Sequence, residues 1–184
     1  PDDLIALYTV HLFHVLFTHP DKAETLEQVK RFYAKMEELA DLSPAAVRAK
    51  CINSDEIFET IVQDNILLNI LTPALNKIIL LSHRSRTDSL ATLTILAVLD
   101  YHKQYGRDPV SLEKLVETGL LAEVPIDPFS DQPLVYRTAE TGFTLYSVGL
   151  NFTDDGGTPA SNDKGKGVLW GDNGDAVFWP VTDH

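Results

Sequence analysis

Apolar positions recur with a helical period over roughly the first 105 residues and switch to a two-residue alternation near residue 133. Asp2 and Asp3 precede LIALYTVHLFHVLF, a run about the length of a buried helix, with carboxylates placed to suit the free N–H groups of its first turn. His19-Pro20 closes that run. From Asp21 onward Leu26, Val29, Phe32, Tyr33, Met36 and Leu39 fall on one stripe with Glu and Lys opposite, which predicts a surface helix with its apolar side buried. Ser43-Pro44 reads as N-cap and first helical position of SPAAVRAKCI. A further helix starts at Asn53-Ser54-Asp55, with Ile57, Ile61, Asn65, Leu68 and Leu71 on one face. Thr72-Pro73 either caps a new helix or kinks a continuing one. The pattern then runs from about 73 to 105 as one long helix, or as two broken near Ser85 to Asp88. Leu90, Leu93, Leu96, Ala97 and Tyr101 are expected to face inward, and Gly106 marks the stop.

Beyond Gly106 the texture changes. Ser111 is placed to cap the short helix LEKLVE and Gly119 to end it. Pro125, Pro128 and Pro133 exclude helix and force extended or turned backbone. PLVYRT and FTLYSV alternate and are rich in β-branched and aromatic residues, with AETG between them as a hairpin turn. DAVFWP supplies a third strand. The expected fold class is therefore α+β: an N-terminal helical region over 1–84, then a unit over 85–184. In that unit a long helix packs on a small antiparallel three-stranded sheet carrying a long acidic loop.

Composition narrows the functional classes. The chain has 184 residues, 44% of them hydrophobic, and a net charge of -12, so phosphate would be repelled over most of its surface and nucleic acid is not an expected partner. From Val124 to the C-terminus nine acidic residues face only Arg137, Lys164 and Lys166. The single Cys51 excludes an internal disulfide, and no base or cationic neighbour in the sequence marks it as a nucleophile, so it is expected to be a buried or half-buried thiol. His11 and His14 share a helix face, yet no Glu-x-x-His motif accompanies them, so they read as the edge of a packed face. Arg84 and Arg86 read as a solvated face or helix junction. No stretch reaches the length of uninterrupted apolar sequence that a membrane-spanning helix needs. The chain starts at Pro1 without an initiator Met and reads as a fragment or processed product, with room for a membrane anchor upstream of Pro1.

The order helix, Tyr101-x-x-x-Tyr105-Gly106, short helix, Asp127-Pro128-Phe129, Pro133-Leu134-Val135-Tyr136, Tyr146-Ser147-Val148-Gly149 and an Asp/Gly loop resembles the C-terminal part of type II secretion major pseudopilins and of pseudopilin-like domains in large bacterial proteins. The resemblance covers about residues 90 to 180. It implies an extracytoplasmic setting, in the periplasm or cell envelope, and a calcium-binding loop. It departs from the family where the loop Asp falls on Asn151 and where the closing motif is reduced to Asp175-Ala176-Val177. Most of the first 70 or so residues have no pilin counterpart, so the unit reads as a domain carried by a larger helical protein.

Calcium takes six to eight oxygens, and Gly-rich backbone offers carbonyls beside carboxylates. Asn151, Asp154, Asp155, Asp172 and Asp175 are the candidate ligands, in a spacing that is not that of an EF-hand. The other reading of the loop is an acidic, turn-rich surface held by Asx turns. Asn151-Phe152-Thr153 also fits the short N-glycosylation pattern. Three functions follow. The first is a non-enzymatic interaction or assembly module, binding a protein partner or the other domains of its parent chain, with a calcium-stapled loop. The second is a helical adaptor that binds its partner through the N-terminal helices. The third is an Asp-based hydrolase using Asp127, Asp131, Asp154 and Asp155, which would need a cleft and shifted pKa values.

Overall fold

The computed structural model describes residues 20–62, 65–139 and 142–180. The apolar run before His19, with His11 and His14, lies outside these residues. Among the described residues the chain forms α1 (Lys22–Ala40), α2 (Pro44–Ala49), α3 (Ser54–Ile61), α4 (Ile66–Tyr105) and α5 (Leu112–Glu117). It continues with β1 (Ile126–Asp127), β2 (Gln132–Pro133), β3 (Val135–Ala139), β4 (Gly142–Ser147) and β5 (Ala176–Trp179). The fold is α+β, helical up to Tyr105 and mixed beyond it.

Side-chain caps open three helices, at Ser43 as read from the sequence, at Asn53 where the sequence places a helix start, and at Asp21. Glu24 N donates to Asp21 Oδ1 at 2.9 Å, Ala46 N to Ser43 Oγ at 2.9 Å and Glu56 N to Asn53 Oδ1 at 3.3 Å. Ser111 stands at the N-cap of α5 but makes no side-chain bond to the helix N–H groups. Its hydroxyl serves the Glu113 carboxylate, which it helps hold below the usual glutamate range. Pro73 sits inside α4, which continues through Ser85 to Asp88 as a single helix.

The chain divides into two compact units, one made of residues up to Leu42 with Lys50–Leu81, the other of Ser43–Ala49 with Ser82–His184. In the first, Phe32, Leu39, Phe58, Val62 and Leu68 form the core, with the Phe32 and Phe58 rings 4.8 Å apart. Two members of the expected α1 stripe, Leu26 and Tyr33, are exposed. The buried stripe is instead rotated onto Gln28, whose Oε1 accepts from the fully buried Asn65 at 2.8 Å. A hydrogen-bonded polar pair occupies a place that the pattern assigned to apolar side chains.

In the second unit β3, β4 and β5 form one antiparallel sheet in that order, with Val135 opposite Tyr146 and Ala139 opposite Gly142. Ser147 lies opposite Ala176, with a bulge between Leu145 and Tyr146. The hairpin and its third strand match the alternation in the sequence. Pro133, expected within the first strand, belongs instead to a separate two-stranded ribbon in which it pairs with Ile126. Leu134, Phe143 and Leu145 face α4 and α5 and share a core with Ala91, Ala97, Val98, Tyr101, Leu112 and Leu115. Leu93 and Leu96 do not join it; they are 58% and 57% exposed. The sealed stripe of α4 is Thr87, Ala91, Thr94, Val98 and Tyr101, small residues first, which let the helix approach its neighbours closely. Thr87 and Thr94 bury their hydroxyls at no cost in unmet polarity by donating to the carbonyls of His83 and Leu90, at 2.8 and 2.7 Å.

Candidate functional site

Two of the sequence motifs, Asp127-Pro128-Phe129 and Tyr146-Ser147-Val148-Gly149, meet at one carboxylate. Asp127, fully buried, accepts from Phe129 N (3.0 Å) and Ser147 Oγ (2.8 Å) on Oδ1. On Oδ2 it accepts from Val148 N (3.0 Å) and Ser130 Oγ (3.4 Å). Ser147 Oγ in turn accepts from Gly149 N at 3.0 Å. The Asp-Pro-Phe turn and the Tyr-Ser-Val-Gly strand end, 20 residues apart in sequence, are thus tied into one polar knot. Burial pushes the Asp127 carboxyl above its ordinary range, against the pull of its four donors.

From this knot the acidic loop sets out. Asp175, also fully buried, accepts from Asp155 N (3.2 Å) on one oxygen and from Gly157 N (2.7 Å) on the other, so it clamps the loop's first turn to the start of β5. Burial raises its pKa as well. Asp154 takes the Tyr146 hydroxyl at 2.8 Å, Gly156 N at 2.9 Å and the Arg137 guanidinium at 3.1 Å. The Tyr146 hydroxyl, followed by Gly156 N, holds Asp154 below the usual aspartate range, while burial and this carboxylate push the Tyr146 phenol well up. Gly157 lies against the Tyr146 ring, where a Cβ would come within 3.4 Å at a φ of +85°.

The far half of the loop is held by amide side chains and one indole. Asn162 Oδ1 accepts from Lys164 N and Lys166 N, each at 3.0 Å, and Asn173 bonds the Ser161 backbone through both ends of its amide. Trp170 packs 5.2 Å from the Phe129 ring and donates Nε1–H to Asp88 Oδ1 at 3.0 Å, with the Arg84 guanidinium 5.3 Å above its face. The polar patch around Arg84 and Asp88 is therefore the landing site of the loop on α4. Sequence reasoning missed this, since an indole N–H and a carboxylate 82 residues apart share no local pattern. It read α2 as a helix but missed where it docks: Ala45 N donates to Pro128 O, and Arg48 donates to Asn151 O while lying 4.8 Å over Phe152.

The five candidate calcium ligands are placed as follows. Asn151 Nδ2 donates to Asp155 Oδ2 at 2.7 Å, and Asn151 Oδ1 accepts from Thr153 N, an Asx turn. Asp154 and Asp175 serve separate groups of donors, and Asp172 is exposed. The five do not form one donor set in this arrangement, and among the described residues no three His, Cys, Asp or Glu side chains gather as a metal cage. The mutual repulsion expected of these carboxylates is relieved by backbone N–H groups and by Arg137. Of the four aspartates considered as an acid/base set, Asp127 is buried with both oxygens engaged, Asp131 is exposed at a φ of +55°, Asp154 is ion-paired with Arg137, and Asp155 accepts from Asn151. Cys51, expected to be at least half buried, is exposed. Among the described residues no helix is long and apolar enough to cross a membrane. No protein-family model, curated protein or solved structure is similar enough to this chain to count as a match.

Proposed function

We propose that the α+β unit is a non-enzymatic interaction module of pseudopilin type, working outside the cytoplasm, which packs through a helix face onto a protein partner or another domain of its parent chain. The observation that carries this reading is the double character of α4. One side, Ala91, Thr94, Val98 and Tyr101, is sealed against the sheet and α5, while Leu93, Leu96 and Leu99 stand 58%, 57% and 42% exposed on the same turns. Large apolar side chains left in water along one helix suit the helix-on-helix packing of an assembly. The carboxylates support the same reading, because each of the buried ones is engaged in holding the chain rather than presented to a substrate. A photo-crosslinking residue at position 96 of the intact protein in its own host tests this directly. A discrete protein adduct that disappears in a Leu93→Ser, Leu99→Ser background is the expected result. An adduct-free position 96, or an adduct indifferent to those substitutions, overturns it.

Calcium is the second arm of the proposal, and it would have to recruit Asp154, Asp155 or Asp175 from their present donors. Calorimetry with calcium and with EGTA separates the cases. A ligand that binds only the folded state raises the melting midpoint by mass action. An unchanged midpoint means that the loop is held by Asp175, Trp170 and its turns without an ion.

A further inference from the structure

At the opposite end of the sheet from the Asp127 knot, the end of α4, the 107–110 turn and the β3–β4 hairpin enclose an open cleft of about 750 Å³. That is within the range of small-ligand sites. Its apolar wall is made by Phe143 and Trp179, stacked 5.4 Å apart and 13° from parallel, together with Leu99 and Val110, the last of them 78% exposed. Its charged and titratable lining is Arg107, His102 and Asp108, and the aspartate is taken up by His102. Arg107 makes no hydrogen bond or ion pair among the described residues, so its guanidinium is free to form a forked contact. His102 gives Nδ1 to Asp108 Oδ1 at 2.7 Å, which fixes the ring and leaves Nε2 as its remaining polar atom. An unpaired arginine beside an aromatic wall offers a carboxylate a charge partner and its apolar body a surface in one place. We infer that this cleft binds a carboxylate attached to an aromatic or branched apolar body, with Arg107 taking the carboxylate and the Trp179–Phe143 wall taking the body. Two sources present that chemistry, a free organic acid and the C-terminal residue of a peptide. The cleft shares Leu99 with the assembly face proposed above, but Arg107, Phe143 and Trp179 lie outside that face, so Arg107→Gln tests this inference alone.

The test uses the whole chain and two probes, 3-phenylpropionate and an N-acetylated tripeptide ending in Phe with a free carboxylate, each compared with its carboxamide by calorimetric titration. The expected result is binding of at least one acid, with its amide and the Arg107→Gln variant each weaker by roughly tenfold or more, as the loss of a charge-assisted contact implies. Uptake of the tripeptide alone identifies a C-terminus receptor, and uptake of both acids a site for the shared chemistry. Arg107 is exposed and unpaired, so its replacement leaves the fold intact, which the unchanged melting midpoint of the variant verifies. Acid and amide binding equally, an affinity indifferent to Arg107→Gln, or no binding of either acid at about millimolar concentration overturns the inference.

Discussion

Asp127 has two oxygens and four donors, and an asparagine of the same shape can satisfy only one side of that arrangement. In Asp127→Asn the new amide would aim N–H groups at Val148 N–H and leave it without an acceptor. The expected loss is about 2–4 kcal/mol by denaturant unfolding, with Ser147→Ala costing about 1. Gly174 is constrained by space rather than by conformation. A Cβ there would meet Ala160 N at 2.8 Å and Thr158 O at 2.9 Å, both backbone atoms that cannot turn aside. Gly174→Ala should therefore cost about 1–3 kcal/mol. Gly165 has open space around it, and the same substitution there meets only the penalty of its φ of +74°, about 1–2 kcal/mol. A Gly174→Ala variant as stable as the parent would contradict this account. Tyr136 gives a pH signature. Burial, with Asp108 nearby, pushes its phenol up to about 12, and the hydroxyl donates to Pro109 O at 2.9 Å. The folded state holds this proton more tightly than the unfolded chain does. Its contribution is thus complete below a pH of about 10 and is lost as the pH climbs toward about 12. Phenolate absorbance during alkaline titration should show two late tyrosines, Tyr136 and Tyr146, and Tyr136→Phe should leave one.

At the level of elements, α4 decides which surfaces exist. Its inward stripe is built of small residues, so Ala91→Leu should overpack the helix against its neighbours and cost about 1–3 kcal/mol. Leu96→Glu, on the open side, should stay within about 0.5 kcal/mol of the parent. Reversal of those two results in thermal melts would show that the helix is turned the other way. The sequence hides this orientation because apolar residues ring the helix. Leu93 and Leu96 are larger than Ala91 and Thr94, so size drew part of the expectation to the open side, while Ala97 and Tyr101 do face the core as expected. The strands were plainer. Val135 to Ala139 and Gly142 to Ser147 alternate, and AETG between them reads in the sequence as a hairpin turn. The site was legible in part. Asp127-Pro128-Phe129 and the Ser147 strand end stood out as motifs, but their union is a contact across 20 residues, and no periodicity reports such a contact. The use of Asp175 as an acceptor for backbone N–H groups was likewise invisible, since an acidic residue near glycines looks the same whether it holds a cation or a turn.

For the whole molecule, the order of the units along the chain matters more than their size. Residues 43–49 belong with 82–184, so the chain enters the α+β unit for a single short helix, leaves it to finish the helical unit, and returns through α4. The seat of α2 is made by Pro128, Asn151 and Phe152, and Arg48 reaches its acceptor across 103 residues. Arg48→Ala should therefore loosen the start of the acidic loop, read as faster amide exchange at Asp155 and Gly157, while the exchange of residues around Phe58 stays as it was. The same threading sets a timetable on the ribosome. At roughly 5–20 residues per second, α2 leaves the tunnel about 5–20 s before the residues that receive it. Over that interval its six residues are too few to hold a helix unaided, so α2 is a latch that closes only once Pro128, Asn151 and Phe152 have emerged to receive it.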